Sequence, residues 1–226
     1  MEQLILELAK PEPAAFANFV IGSNGEAVAA LRRLASGEIG ETGVVIWGPA
    51  GVGKTHLLQA VAAAATATGR TARYLADPAQ VDASAPQPTL VCVDAIDTAD
   101  EAAQGRLFTL YNTLAAAHGQ LLAAASVAPA RLALRDDLRT RLGYGLVYEI
   151  AGLRDDDKAQ ALDAYATERG FRLSRDVLDY LLAHGRRDMA TLVATLAALD
   201  RHSLAAKRPI TVPLLREWMQ KHPSGT

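Results

Sequence analysis

The sequence predicts an α/β fold: a parallel five-stranded sheet built around a phosphate-binding loop (P-loop), followed by a small α-helical domain. Three observations predict it. Five short apolar runs (Val44–Trp47, Ala72–Leu75, Leu90–Val93, Leu121–Ala125 and Leu146–Ile150) alternate with helical segments, the pattern of strands buried on both faces. Residues 48–55 read GPAGVGKT, which fits G-x-x-x-x-G-K-[ST] between a strand and a helix. After Leu153 the strand signals stop and only helical periodicity remains.

The elements follow in order. Ser23 with Glu26 three residues on reads as a capping box opening a helix to about Leu34, and Gly37, Gly40 and Gly43 break it. The first strand ends in Gly48-Pro49. A helix runs from Lys54 to about Thr68 and stops at Gly69. Asp77 to Pro88 is polar and proline-bearing, hence a loop or a frayed helix. A long helix from Glu101 to Ala117 ends at His118-Gly119. Four more helices are expected near 155–169, 174–184, 188–205 and 213–221.

Composition narrows the function classes. The chain has 226 residues, half of them hydrophobic, and a mean hydropathy of +0.08, enough apolar surface for a sizeable core. A run of about 18 uncharged apolar residues, the length a membrane span needs, is absent, as is a basic-then-apolar secretory leader. The single cysteine, Cys92, cannot form an internal disulfide, so a reducing, cytoplasmic setting is the default. Five scattered histidines lack zinc-site spacing. A net charge of −2 argues against a stand-alone duplex-DNA binder.

The loop at 48–55 carries the chemistry. Glycines let backbone N–H groups turn inward around phosphate oxygens without Cβ clashes, and the next helix points its positive end at the same anion. Candidate phosphate contacts are Pro49, Ala50, Gly51, Val52, Gly53, Lys54, Thr55 and His56. Lys54 can reach β- and γ-phosphates. Thr55 can ligate Mg²⁺ through its hydroxyl, and Asp94, closing the strand Leu90–Val93, supplies the acid that orders the metal. Taken singly, each has a plainer reading, a glycine-rich turn or a strand-ending aspartate; together they support one site. Cys92 inside that strand is a small apolar filler.

Several segments resemble bacterial replication initiators of the DnaA family: FANFVIGSNGEAVAAL at 16–31, LFTLYNTL at 107–114, GQLLAAAS at 119–126 and DLRTRLGYGL at 137–146. The chain is shorter than an initiator; a helicase-interaction domain before it and a helix-turn-helix domain after it are not expected. It resembles the Hda-type regulators of that family. The resemblance implies an AAA+ fold with residues 1–10 as a clamp-binding peptide, 11–152 as the nucleotide-binding domain and 153–226 as a helical lid. It implies ADP or ATP with Mg²⁺ as ligands, Val20 and Ile21 as cover for the adenine, Ser126 at the sensor-1 position and Arg141 as an arginine finger acting in trans. Without it, Arg141 reads as a solvated arginine at a helix end. Gln3, Leu4, Leu6 and Leu8 resemble a peptide that docks on the DNA sliding clamp, with Glu7 where proline is more usual; the plainer reading of that stretch is an edge strand.

The chain departs from a working ATPase at two places. Ala95 follows Asp94 where a second acid commonly orients water, and Asp97 comes three positions later. In RRDMATLVATL (186–196) the sensor-2 position is Ala190, with Arg187 as a neighbour that could substitute. These residues imply nucleotide binding with little intrinsic hydrolysis. The resemblance therefore implies a regulator that stimulates ATP hydrolysis by DnaA from the sliding clamp, with DNA met mainly indirectly and homodimerisation left open. The alternative is an autonomous AAA+ ATPase motor or helicase loader.

Overall fold

The computed structural model describes residues 12–84, 89–186 and 188–222. Five parallel strands, β1 (Gly43–Trp47), β2 (Ala72–Leu75), β3 (Leu90–Val93), β4 (Gln120–Ala125) and β5 (Leu146–Glu149), form one sheet in the order β2-β3-β4-β1-β5. Strand β1 pairs Gly43 with Leu121 and Trp47 with Ala125 on one side, and Trp47 with Glu149 on the other. Strand ends are therefore level, and the chain leaves β1, β3 and β4 at the same rim.

Alternation along the strands divides the core. Val44, Ile46, Leu90, Cys92, Leu122 and Ala124 face α1 (Gly25–Ser36) and α2 (Lys54–Ala67). Val45, Val91, Val93, Leu121, Ala123 and Ala125 face α3 (Glu101–Ala116) and α4 (Asp136–Tyr144). With helices on both faces, the inner strands are apolar apart from Gln120 at the start of β4, which is why they read as apolar runs.

The buried residues of a third cluster come from α5 (Asp155–Glu168), α6 (Arg175–His184), α7 (Met189–Ala206) and α8 (Val212–Lys221), with Leu173 and Ile210 packed against it from the connections. Leu162, Leu181, Leu192, Leu196, Leu199, Leu214 and Leu215 are fully buried in it. Ser174 caps α6 through Val177 N–H, and Asp188 caps α7 through Thr191 N–H. No helix among the described residues is long and apolar enough to cross a membrane.

One local expectation changes, and two further segments gain definition. The first helix is capped at Asn24, not by a Ser23–Glu26 box: Gly22 turns the chain at φ +51°, and helical geometry begins at Gly25. That helix ends in a Schellman turn, with Gly37 left-handed and Glu38 N–H donating to Arg33 O. The stretch after Asp77 contains a short 3-10 turn, Pro78–Gln80, capped by the Asp77 carboxylate. The arginine-rich segment after β4 is a nine-residue helix, α4.

Candidate functional site

The loop at 48–53 leaves β1 and enters α2 at the carboxyl rim of the sheet. Its glycines are required by close approach. A Cβ on Gly48 would collide with the Ile150 carbonyl oxygen, and one on Gly53, at φ +96°, would lie 2.8 Å from the Phe19 ring. Lys54 Nζ donates to Gly48 O at 2.6 Å and Pro49 O at 2.8 Å, lying across the loop's mouth. Burial lowers the Lys54 pKa from its ordinary value, against the pull of Asp94 and Asp97, whose charges favour the ammonium.

Thr55 Oγ1 donates to Asp94 Oδ2 at 2.5 Å, so the two expected metal-ordering groups meet. Tyr74 OH also reaches Asp94 Oδ2, at 3.3 Å, and Ala95 N–H donates to Oδ1 at 2.9 Å. Burial, followed by the nearby Asp94 charge, raises the Tyr74 pKa. One hydroxyl and one carboxylate fit Mg²⁺, which takes few protein oxygens and completes its octahedron with water and phosphate. Among the described residues no group of three or more His, Cys, Asp or Glu forms a metal cage.

Ser126, exposed at the end of β4, donates its hydroxyl to Asp97 Oδ2 at 2.6 Å and its N–H to Oδ1 at 3.3 Å. Ala95 makes this possible. It is left-handed at φ +49°, and the 3-10 turn Ile96–Thr98 that follows carries Asp97 back to the rim. Asp97 thus belongs to the site, although its spacing from Asp94 gave no such indication.

The segment ahead of α1 covers the loop. The Phe19 ring packs on Gly53 and sits 5.6 Å from the His56 ring, while His56 Nε2 pairs with Ala15 O at 2.9 Å. Val20 is half-buried and Ile21 is 41% exposed beside them. Asn24, 4% exposed, donates to Ala151 O at 3.0 Å and accepts from Ala151 N at 2.8 Å. Its carboxamide ties the start of α1 to the chain entering the helical domain. Phe19 and Asn24 both lie in the 16–31 segment that resembles the initiators, but nothing in that resemblance singled them out.

From the helical domain, Asp188 reaches the loop: a Cβ on Gly51 would lie 3.3 Å from Asp188 Cβ. Burial opposes the Asp188 carboxylate, but hydrogen bonds from Thr191 and the charge of Arg186 outweigh it and hold its pKa below the ordinary value. Ala190 is exposed on the first turn of α7. Arg187, like Gln3, Leu4, Leu6 and Leu8, lies outside the described residues.

Arg141 is apart from all of these. Its Nε donates to Asn112 Oδ1 at 3.0 Å, and its guanidinium lies 4.3 Å from the centre of the Phe108 ring. Both partners are on α3, and the Arg141 carbonyl adjoins Gly43 at the opposite rim of the sheet.

Two family models match the chain. One, for the bacterial DnaA ATPase domain, covers residues 11–78; the other, for the lid domain of Hda, covers residues 155–219. The fold is similar to that of domain III of the Thermotoga maritima initiation protein DnaA (TM-score 0.77, 17% identity, 94% of this chain and 98% of that one). A replication initiator DnaA bound to AMPPCP and single-stranded DNA is similar as well (TM-score 0.72, 24% identity), over 83% of this chain but only 64% of its own length. The Thermotoga maritima RuvB branch migration motor matches at a TM-score of 0.68 and 17% identity, over 92% of this chain and 72% of that one. At these identities the structural likenesses establish the AAA+ fold.

Proposed function

Because the chain belongs to the Hda/DnaA family of AAA+ proteins, we propose that it is a regulator that binds an adenine nucleotide, ADP or ATP, with Mg²⁺ and stimulates ATP hydrolysis on DnaA, repressing re-initiation of replication. The loop at 48–53, Lys54 and Thr55 would hold the phosphates, and Thr55 and Asp94 would order the metal. Phe19, Val20 and Ile21 would flank the base. Bound Mg²⁺ would offset phosphate charge there; the chain's own groups supply position.

The observation that carries the reading is the place of Arg141, at the rim of the sheet away from the loop of its own chain. A guanidinium there is placed to enter a neighbour's site, where it would stabilise charge on the departing phosphoryl group. Ala95 after Asp94, and Asp97 engaged by Ser126, both leave this chain short of a water-orienting acid, which favours the regulator over an autonomous motor. Tethering to the sliding clamp through Gln3, Leu4, Leu6 and Leu8 completes the proposal, with DNA met through the clamp and DnaA.

The test is single-turnover hydrolysis of ATP preloaded on DnaA, with and without this protein and DNA-loaded clamp. Acceleration that needs both is expected, and its loss on replacing Gln3, Leu4 and Leu6 by alanine. An unchanged rate with all components present would refute the regulatory role.

A further inference from the structure

We infer that His56 is a positioning residue: it contacts no phosphate but holds in place the segment Ala15–Ile21 that flanks the base, and so sets affinity for the nucleoside half of the ligand. The inference rests on the proposed nucleotide site. Lys54, Thr55 and His56 are consecutive on the first turn of α2, and neighbouring side chains on a helix point about 100° apart. Lys54 lies across the loop's mouth, and Thr55 turns to Asp94. His56 takes a third direction, to Ala15 O at 2.9 Å in the segment ahead of α1. A carbonyl oxygen only accepts, so Nε2 carries the hydrogen and donates it.

The segment depends on such attachments. Its 3-10 turn, Phe16–Asn18, has no buried residue. Ala15 N–H donates to Asn18 Oδ1 at 2.9 Å and Asn18 Nδ2 to Pro13 O at 3.0 Å, bonds that shape the turn without fastening it to the body. Fastening comes from Phe16 and Phe19, which pack against the core while only partly buried, from Arg32 on the Phe16 ring and carbonyl, and from His56, whose ring also adjoins Phe19. Further on, Asn24 holds the chain again at Ala151. Val20 and Ile21 are strung between the two anchors, and Ile21 is exposed. A cover already in position binds a base without first losing its own freedom. Release of the His56 anchor restores that cost, and the cost falls on the base, not on the phosphates held by the loop.

The experiment is calorimetric titration of the full chain with Mg-ADP and with Mg-pyrophosphate, which has the phosphates and lacks the nucleoside. The parent should bind ADP more tightly. His56→Ala should weaken ADP by roughly three- to tenfold, the scale of one neutral hydrogen bond, and leave pyrophosphate unchanged. His56→Gln, whose amide nitrogen can stand in for Nε2, should restore most of the ADP affinity. His56→Phe, which keeps a ring beside Phe19 without a donor, should not. Hydrogen exchange on the parent needs no variant to fold: Mg-ADP should slow exchange at residues 15–21, and Mg-pyrophosphate should not. Equal loss of both ligands in His56→Ala would make His56 a phosphate contact. Loss of neither, full ADP affinity in His56→Phe, equal parent affinity for the two ligands, or exchange at 15–21 that ADP leaves unmoved would likewise overturn the inference, with the nucleotide site still standing. A parent that binds neither ligand would instead remove the nucleotide site, and the inference with it.

Discussion

Arg141 and Lys54 occupy opposite rims of one sheet. The Arg141 carbonyl lies 3.7 Å from the Cβ position of Gly43, where β1 begins, whereas Lys54 follows the loop into which β1 ends. Gly43 and Gly48 are about five residue steps apart along the strand, roughly 16 Å at about 3.3 Å per residue. The Arg141 side chain is also directed to Asn112 and Phe108 on α3. Its charge is out of reach of a ligand beside its own Lys54, which is why the role proposed for it lies in a partner's site.

Arg141→Ala should therefore leave nucleotide affinity unchanged and abolish stimulation of DnaA hydrolysis. Arginine fingers in trans contribute about 10³–10⁵ in rate in related systems, so the stimulated rate should fall close to that of DnaA alone. Arg141→Lys should restore little, because lysine keeps the charge without the planar fork of donors. Loss of the contact with Phe108 costs about 0.5–1 kcal/mol of stability, a small shift in a thermal melt. Full stimulation by the alanine variant, measured by single-turnover hydrolysis, would show that Arg141 is only a surface partner of α3.

Lys54→Ala should weaken nucleotide binding by about 10- to 100-fold, the equivalent of one charge-assisted hydrogen bond at roughly 1.5–3 kcal/mol. Among the described residues Lys54 donates to the Gly48 and Pro49 carbonyls at the loop's mouth, so the fold should persist. Calorimetric titration beside a circular-dichroism melt separates the two effects; equal affinity in variant and parent would displace Lys54 from the site.

The parts of the fold and site that the sequence made legible are those with short-range causes. The strands announce themselves because burial on both faces forces unbroken apolar runs, and the loop glycines, Lys54 and Thr55 are contiguous. Asp94 is legible because it closes such a run. Asn24 and Ala151 are 127 residues apart, and Asp97 and Ser126 are 29 apart; periodicity does not encode such pairs. Asp97 further depends on Ala95 adopting a left-handed backbone, which alanine composition gives no reason to expect. The Ser23–Glu26 signal misleads for a related reason: Gly22 ends its turn one residue later than the box requires, and the Asn24 side chain is drawn to Ala151.

Asn24→Ala should destabilise the protein by about 2–4 kcal/mol. The variant loses two hydrogen bonds and strands the N–H and C=O of Ala151, and an unmet buried polar group costs about 1–3 kcal/mol. Urea denaturation checks it. A change below about 0.5 kcal/mol, the scale of ordinary surface substitutions, would mean that water replaces the carboxamide freely.

Asp188 links the helical domain to the loop, and its titration should be visible in stability. As the N-cap of α7 it accepts from Thr191 N–H at 2.9 Å. Burial raises its pKa, but the Thr191 hydrogen bonds and the Arg186 charge prevail, so the folded value lies below the ordinary 3.8. For a depressed carboxyl, the folded state binds fewer protons than the unfolded state between the two values. The stabilisation is therefore complete above about pH 4 and is lost as pH falls through the folded value. Asp188→Asn, a comparably good cap without a titrating group, should differ little from the parent at pH 7 and decline less as pH drops from about 5 to 3. Asp188→Ala should cost about 1 kcal/mol at pH 7 through loss of the cap. Denaturant melts across that pH range are the measurement. Parallel parent and asparagine curves would show that the carboxylate does not contribute to stability through its ionisation.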